Sequence, residues 1–560
     1  MIFIWDAETA ERIEMMTLPK GSRSVSALAF SADGKYLAAA DMSDDHNVHL
    51  FDLSQRDKKG KCVHIAAVKK DRKKVFQIKW SPTTAGQFVS VGVEHVFFWS
   101  ITPNLDAKRG KLPPSKSGAA RLGFPSVAFS RTGMALLAAS DGAIYTYNGG
   151  APGRSFKNTH TKMVSCINCV PDPRSAAHEL VLTGGADKVI HLHSLDSSGF
   201  VQKMHAFPVA ATPRSVDFMD DQILAGLSNG TILELKNALS SPDTAVCEVQ
   251  IRSHYDGEAW GLAMVDDPDR CLYFTSGDDN TILLYDAQAR RCIGEGRVST
   301  VDDIKTLPAK KKRGGASSMS NQHPHCQARA LAYQEGLNHL AVGHNDGCVS
   351  IRAVSIEGAD GGIQLDNVCC KLNHPKEWIE IMRYSPSGDK LAVGSHDNYI
   401  YVYNTSTDGK YKSHGRLKGH SSYITALDWS LDGSWIRSSC GAYELLFFDV
   451  EGKTQVPGGA SATTSTTWAS HTVKFGWFVD GIYPPGTDGS HINIVEMSKD
   501  QQIIATGDDY GLVNLYRSPC REDHKAKSYR GHSEHVTNVK IHGEEMETMC
   551  SLGGQDQTLI

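Results

Sequence analysis

From residue 378 to 404 apolar and polar positions alternate in short runs: Ile379, Met382 and Tyr384, then Leu391-Ala-Val-Gly394, then Tyr399-Ile-Tyr-Val-Tyr403. A two-residue period predicts half-buried strands rather than helices. The runs are punctuated by Ser385-Pro-Ser-Gly388 and His396-Asp397-Asn398, residues suited to tight turns between antiparallel strands. The same unit recurs at 25–52, 75–100, 126–148, 164–195, 215–235, 260–286, 328–354, 424–449, 492–516 and from 536 to the end. Most spacings are about 40 to 50 residues, the period of a four-stranded propeller blade. The predicted fold is all-β with about twelve four-stranded blades, one of them atypical. One ring closes with roughly four to eight blades, so two tandem β-propellers are required.

The polar, turn-rich segment Lys236-Asn-Ala-Leu-Ser-Ser-Pro-Asp243 marks the junction. The expected domains are a first propeller over 1–245 and a second, atypical one over 246–560. The first is expected to be incomplete at its N-terminus. The second carries a basic insertion near 298–321. Hydrophobic residues at 40% and charged residues at 22% fit a globular chain, and 51 glycines suit many turns. A net charge of −5 offers no general attraction to nucleic acid or anionic lipid. No apolar run approaches about 18 residues, so no transmembrane helix is expected. Thirteen cysteines without a regular framework suit a reduced, intracellular protein. Neither nucleic acid nor a membrane is expected as a partner.

The repeat details resemble the WD-repeat family. Gly419-His420 and Gly531-His532 precede blades, and Phe51-Asp52, Tyr285-Asp286 and Phe448-Asp449 close third strands. Asp45, Asp141, Asp187, Asp279, Asp346, Asp397, Asp509 and Asp556 fall in the turn between second and third strands. In that family the blade histidine, a Ser or Thr and the turn aspartate share a buried hydrogen-bond network. These aspartates, with His420 and His532 at blade starts, are therefore expected to be structural rather than catalytic.

The second half carries Ala392-Val-Gly-Ser-His-Asp-Asn-Tyr-Ile400, Gly419-His-Ser-Ser-Tyr-Ile-Thr425, Gly481-Ile-Tyr-Pro-Pro-Gly-Thr-Asp-Gly-Ser-His-Ile-Asn493 and Thr506-Gly-Asp-Asp-Tyr-Gly511. Through these segments it resembles, more narrowly, the echinoderm microtubule-associated protein-like family. The block from 477 to 493 looks like that family's irregular blade. The first half matches through Ser26-Ala-Leu-Ala-Phe-Ser31 and Glu258-Ala-Trp-Gly-Leu262. The resemblance implies a rigid tandem propeller that binds tubulin or microtubules without enzymatic activity. Ile2-Phe-Ile-Trp5 reads as a third blade strand without its predecessors, and Thr558-Leu-Ile560 stops inside another, so a longer parent protein is expected.

Charge concentrates in three clusters. Arg56, Lys58, Lys59 and Lys61, then Lys69, Lys70, Arg72, Lys73 and Lys74, bracket an apolar run predicted as a fourth, outer strand. Lys108, Arg109 and Lys111 lie in a Pro/Gly/Ser-rich stretch predicted as a loop, and Lys310, Lys311, Lys312 and Arg313 lie in the insertion. Clustered cations raise the local potential even on a net-acidic chain, and tubulin is strongly acidic, so these sixteen residues are the candidate tubulin contacts. The bland alternative is solvated loops.

Cys166-Ile-Asn-Cys169 has C-x-x-C spacing, but it lies on a strand with no second pair, which predicts buried thiols. His323-Pro-His-Cys326 lacks a fourth ligand nearby in sequence. No phosphate loop, nucleophile elbow or H-E-x-x-H is present, so neither cofactor, metal nor catalytic residue is expected. The expected function is a non-catalytic microtubule-associated scaffold, in the cytoplasm and cytoskeleton and in the ciliary axoneme, with other axonemal proteins as further partners. The alternative is a general WD-repeat adaptor or substrate receptor.

Overall fold

Strands form where the period-two runs stand. The computed structural model describes the chain apart from residues 1, 7, 10, 20, 58–60, 70–71, 102–104, 113–121, 267–270, 299–326, 358–361, 484–490, 522–524 and 544–547. The repeat read first in the sequence becomes Ile379–Tyr384, Lys390–Ser395, Ile400–Asn404 and Lys412–Leu417, four antiparallel neighbours in chain order. Its two middle strands are buried almost throughout, so their small and β-branched residues face a neighbouring blade on each side. Ten such four-stranded sheets and two two-stranded sheets hold the described strands. The architecture is an all-β tandem propeller.

Two compact units result, Met1–Gln250 and Ile251–Ile560. The first opens with the hairpin Ile2–Trp5 and Arg12–Met16, followed by five four-stranded blades. Ile2 and Met16 pack on Leu37, Ala39 and Phe51 of the next blade. The apolar residues Leu28 and Phe30 on the first inner strand, and Met219 and Leu224 on the last blade, remain exposed.

The second unit is a closed ring. Its last hairpin, Val536–His542 with Thr548–Gly553, lies beside its first strand, Ala259–Asp266. The Thr537 hydroxyl donates to the Ala259 carbonyl at 2.9 Å, and the Ala259 amide donates to Gly554 at 3.0 Å. Tyr273, Cys550 and Leu552 fill the seam with apolar side chains.

One sector of this ring departs from the four-stranded pattern. Between Thr454–Gln455 and Ile492–Met497 the described chain makes a one-turn helix, Gly459–Ala462, and a 3-10 turn, Asp480–Ile482. Val473, Phe478, Val479 and Ile482 nevertheless fill the core between the flanking blades, against Ala426, Ile492 and Val495. The segment is pinned by Asp428, which is fully buried and accepts from Arg437 Nε at 3.1 Å, Ser470 Oγ at 2.8 Å and the Thr472 amide and hydroxyl at 2.9 Å. Burial alone would raise this carboxyl, but the Arg437 and Arg383 guanidiniums and the Ser470 hydroxyl hold it below its usual range. A buried carboxylate with that many donors locks an irregular backbone that has no ladder of its own.

Candidate functional site

A shared hydrogen-bonded frame occupies several blade histidines and turn aspartates. His160 bonds Asp187 at 2.9 Å and Thr183 at 2.9 Å, and His254 bonds Asp279 at 3.1 Å and Thr275 at 2.9 Å. His532 bonds Asp556 at 3.2 Å and Ser551 at 2.8 Å. His420 bonds Ser438 at 2.7 Å, with Glu444 at 3.4 Å standing where the other blades have aspartate. That substitution brings the His420, Cys440 and Glu444 ligand atoms within 4.8 Å of one another. The same geometry recurs in three blades without the cysteine, so the group is a hydrogen-bonded blade network. Asp141 and Asp397 accept instead from Tyr145 and Tyr401 hydroxyls, at 2.7 and 2.9 Å, and Asp346 holds the Cys348 amide at 3.0 Å.

Two aspartates, Asp45 and Asp509, lie in the predicted turns but do not make the buried contact there. Asp508, not Asp509, is buried and holds the turn through the Tyr510 and Leu512 amides at 2.9 Å, whereas Asp509 is exposed. Likewise buried Asp41 bonds His49 at 3.0 Å, while Asp45 stands at the surface against Lys69. At 508–509 an acidic doublet hides which acid turns inward, whereas Asp41 ends the strand Tyr36–Asp41 and leaves Asp45 in the turn. Cys166 and Cys169 lie on Val164–Pro171, where burial pushes both thiols up, Cys166 to about 11. Such thiols are poor nucleophiles.

The basic residues of the first unit lie on two neighbouring blades. Cys62–Val68 is a fourth strand, with Arg56 ending the strand before it and Lys69, Arg72, Lys73 and Lys74 following. Lys108 and Arg109 end the strand Leu105–Arg109, which is an outer strand rather than a loop, and Lys111 follows it. Lys58, Lys59, Lys70 and Lys310, Lys311, Lys312 and Arg313 lie outside the described residues, as does His323 to Cys326. Acids neutralise part of the patch: Arg56 meets Glu14 at 3.5 Å, Lys69 and Arg72 meet Asp45 at 2.5 and 3.6 Å, and Lys73 meets Glu94 at 2.9 Å. Among the described residues, Lys61, Lys74, Lys108, Arg109 and Lys111 have no carboxylate within 4.0 Å. Lys74 and Arg109 instead lie over the Phe76 and Phe97 rings, at 5.8 and 5.9 Å.

The second unit encloses a channel of about 910 Å³. Its lining has a rule that strand alternation hides. Each of the six inner strands carries a β-bulge at its second residue. The six bulged residues, Trp260, Arg329, Glu380, Thr425, Asn493 and Thr537, all line the channel. A bulge adds one residue and re-aims its side chain, here toward the ring axis. Three residues further along each strand stand Ala263, Ala332, Arg383, Asp428, Glu496 and Lys540. In this deeper ring Glu496 is shared by Arg383 at 3.3 Å and Lys540 at 2.9 Å. Sequence reasoning missed both rings, although superposing the repeats on their strand starts exposes them.

Comparison with known proteins accords with this architecture. Residues 1–235 match the profile described as the echinoderm microtubule-associated protein first beta-propeller, and residues 259–560 match that of the second. The ciliary WD repeat-containing protein ctxp80 of Euplotoides octocarinatus is 37% identical over the whole chain, which covers 72% of that relative. The 77 kDa echinoderm microtubule-associated protein of Lytechinus variegatus is 28% identical, with 76% of it covered. Human echinoderm microtubule-associated protein-like 1 is 30% identical over the whole chain, which spans 62% of its length. With both propeller profiles matched in order, the chain belongs to the echinoderm microtubule-associated protein-like family.

Proposed function

We propose that the chain is a non-catalytic, microtubule-associated scaffold that binds tubulin or the lattice through the basic residues of its first unit. The observation that carries this reading is the group of five cations, Lys61, Lys74, Lys108, Arg109 and Lys111, left without a carboxylate partner among the described residues on two adjacent blades. Unmatched cations on a rigid surface attract an acidic lattice at long range, and binding there orders no scaffold. Lys58, Lys59 and Lys70 belong to the same first-unit surface by sequence, and Lys310 to Arg313, in the span of the second unit, are a separate candidate contact outside that surface. The relatives' names, a ciliary protein and microtubule-associated proteins, support the filament and suggest the axoneme as its setting. The buried histidines and aspartates are spent on blade hydrogen bonds, which supports a role without catalysis.

Microtubule co-sedimentation tests the reading. Binding is expected to weaken steeply as salt rises from about 50 to 150 mM. The quadruple change Lys61→Glu, Lys74→Glu, Lys108→Glu and Lys111→Glu is expected to weaken it by at least about 10-fold. Binding that ignores both salt and the charge reversals would overturn the basic-surface reading.

A further inference from the structure

The channel mouth of the second unit differs chemically from the basic surface of the first. At the end where the inner strands begin, aromatic rings line the opening: Trp378, Tyr423 and Tyr443 are 42, 40 and 55% exposed. His396 stacks on Tyr423 with ring centroids 4.5 Å apart and stands 5.4 Å from Trp378. Tyr443 meets Phe475 edge-on at 5.7 Å. Exposed aromatics gathered around a cavity are a feature of binding surfaces rather than of solvated loops.

Two carboxylates face the same space. Glu380 and Asp509 have side chains 41 and 45% exposed, and both line the channel. Neither has a Lys or Arg within 4.0 Å among the described residues; Glu380 meets His396 at 2.9 Å, and Asp509 accepts from Asn493 at 3.0 Å and stands 3.6 Å from His491. Lys474 interacts with both, its ammonium pushed down by burial while Glu380 and Asp509 draw it back up, and Glu380 acts likewise on Arg329. The wider field has the same sign. Residues 251–560 hold 30 Lys and Arg against 39 Asp and Glu, a net −9.

The molecule already solves this recognition problem once. The Arg329 guanidinium lies 4.2 Å from the Trp260 ring centroid and 4.8 Å from that of Trp378, with Asp278 at 3.3 Å. A planar cation between aromatic faces, balanced by a carboxylate, gains both quadrupole attraction and charge pairing. The open half of the mouth presents the same two kinds of group, aromatic rings at Tyr423 and Tyr443 and carboxylates at Glu380 and Asp509, to solvent.

We propose that this mouth is a receptor for a basic peptide segment of a partner protein. An Arg or Lys side chain would lie against Tyr423 and Tyr443, with its charge matched by Glu380 and Asp509. Lys474 limits how deeply that cation enters, holding it at the rim. The site is independent of the lysines assigned to filament binding, so one chain presents an acidic, aromatic receptor and a basic filament surface in different units.

Fluorescence anisotropy of the full chain with a labelled Gly-Arg-Lys-Gly-Arg-Lys-Gly peptide tests this, beside its all-Gln and all-Glu counterparts. The basic peptide is expected to bind at least about 10-fold more tightly than either counterpart. Glu380→Gln with Asp509→Asn is expected to cost about 10-fold, and Tyr443→Ala about 5-fold. Lys474→Met is expected to tighten binding about 3-fold, because it removes a like charge. Asp408→Asn with Glu451→Gln, on exposed acids away from the channel, is expected to leave binding unchanged. The first-unit reversals should also leave it unchanged, which separates this site from the filament reading. Equal loss from the Asp408 and Glu451 pair, or preference for the all-Glu peptide with loss on Lys474→Met, would overturn the proposal.

Discussion

The two units are built from one repeat and carry opposite charge. Residues 1–250 hold 28 Lys and Arg against 24 Asp and Glu, a net +4, whereas residues 251–560 carry a net −9. The units share a blade frame: His160 with Asp187 in the first and His254 with Asp279 in the second make the same network. What differs is at the margins, on outer strands and their flanks in the first unit and on bulged inner residues in the second. A scaffold fixed by buried hydrogen bonds leaves those positions open to specialise.

If the irregular sector depends on Asp428, Asp428→Ala should be the most damaging single change. It leaves the Arg437 charge buried without its carboxylate and is expected to cost about 3–5 kcal/mol. Denaturant unfolding followed by hydrogen exchange should place that loss in the second unit and leave the first intact. Next in size, Asp279→Ala should strip His254 of its partner in the buried network and cost about 2–3 kcal/mol. The matched change at exposed Asp346 should stay within about 0.5 kcal/mol. Similar losses at both positions would show that turn aspartates do not divide by burial.

Acid should separate the units more gently. In the first, burial pushes His191 down to about 4 and His193 down to about 3. Their folded values lie below the unfolded value near 6.5, so the folded state binds fewer protons. The stability they allow is present above about pH 6.5 and falls as pH drops toward 4, by about 1.4 kcal/mol per pH unit for each histidine. Among the described residues of the second unit, His471 is pushed down to about 4 by burial and the Arg437 charge, and burial also pushes His339 and His420 down. Its Asp428 keeps contributing until pH falls below the ordinary carboxylate range near 4. Hydrogen exchange between pH 7 and 4 should therefore show the steeper loss in the first unit. The smallest effect expected is Lys69→Gln, which breaks an exposed pair with Asp45 and should change stability by less than about 0.5 kcal/mol.

Much of this was legible in the chain. Alternation and turn residues announce the blades because strand period and tight-turn chemistry are local properties. Asp187, Asp279 and Asp556 could be read as structural for the same reason. The inward-facing rings could not be read that way. A bulge at Trp260 or Glu380 shifts the face by one residue, so strict alternation assigns the channel residues wrongly. Doublets such as Asp508 and Asp509 were ambiguous because either acid fits the turn and only packing decides which is buried. Glu444 was passed over because its blade uses a longer acid at a position where its fellows have aspartate. Lys108 and Arg109 looked like loop because the Gly- and Pro-rich stretch after them masks a short outer strand.

The division of charge between the units is tested most directly by lysine footprinting of the intact chain on and off microtubules. Acetylation of each lysine, read by mass spectrometry, reports which surface the filament covers. The account predicts protection of Lys61, Lys74, Lys108 and Lys111 in the first unit, with Lys376 and Lys418 in the second unchanged. Protection confined to Lys376 and Lys418, with the first-unit lysines still reactive, would contradict it.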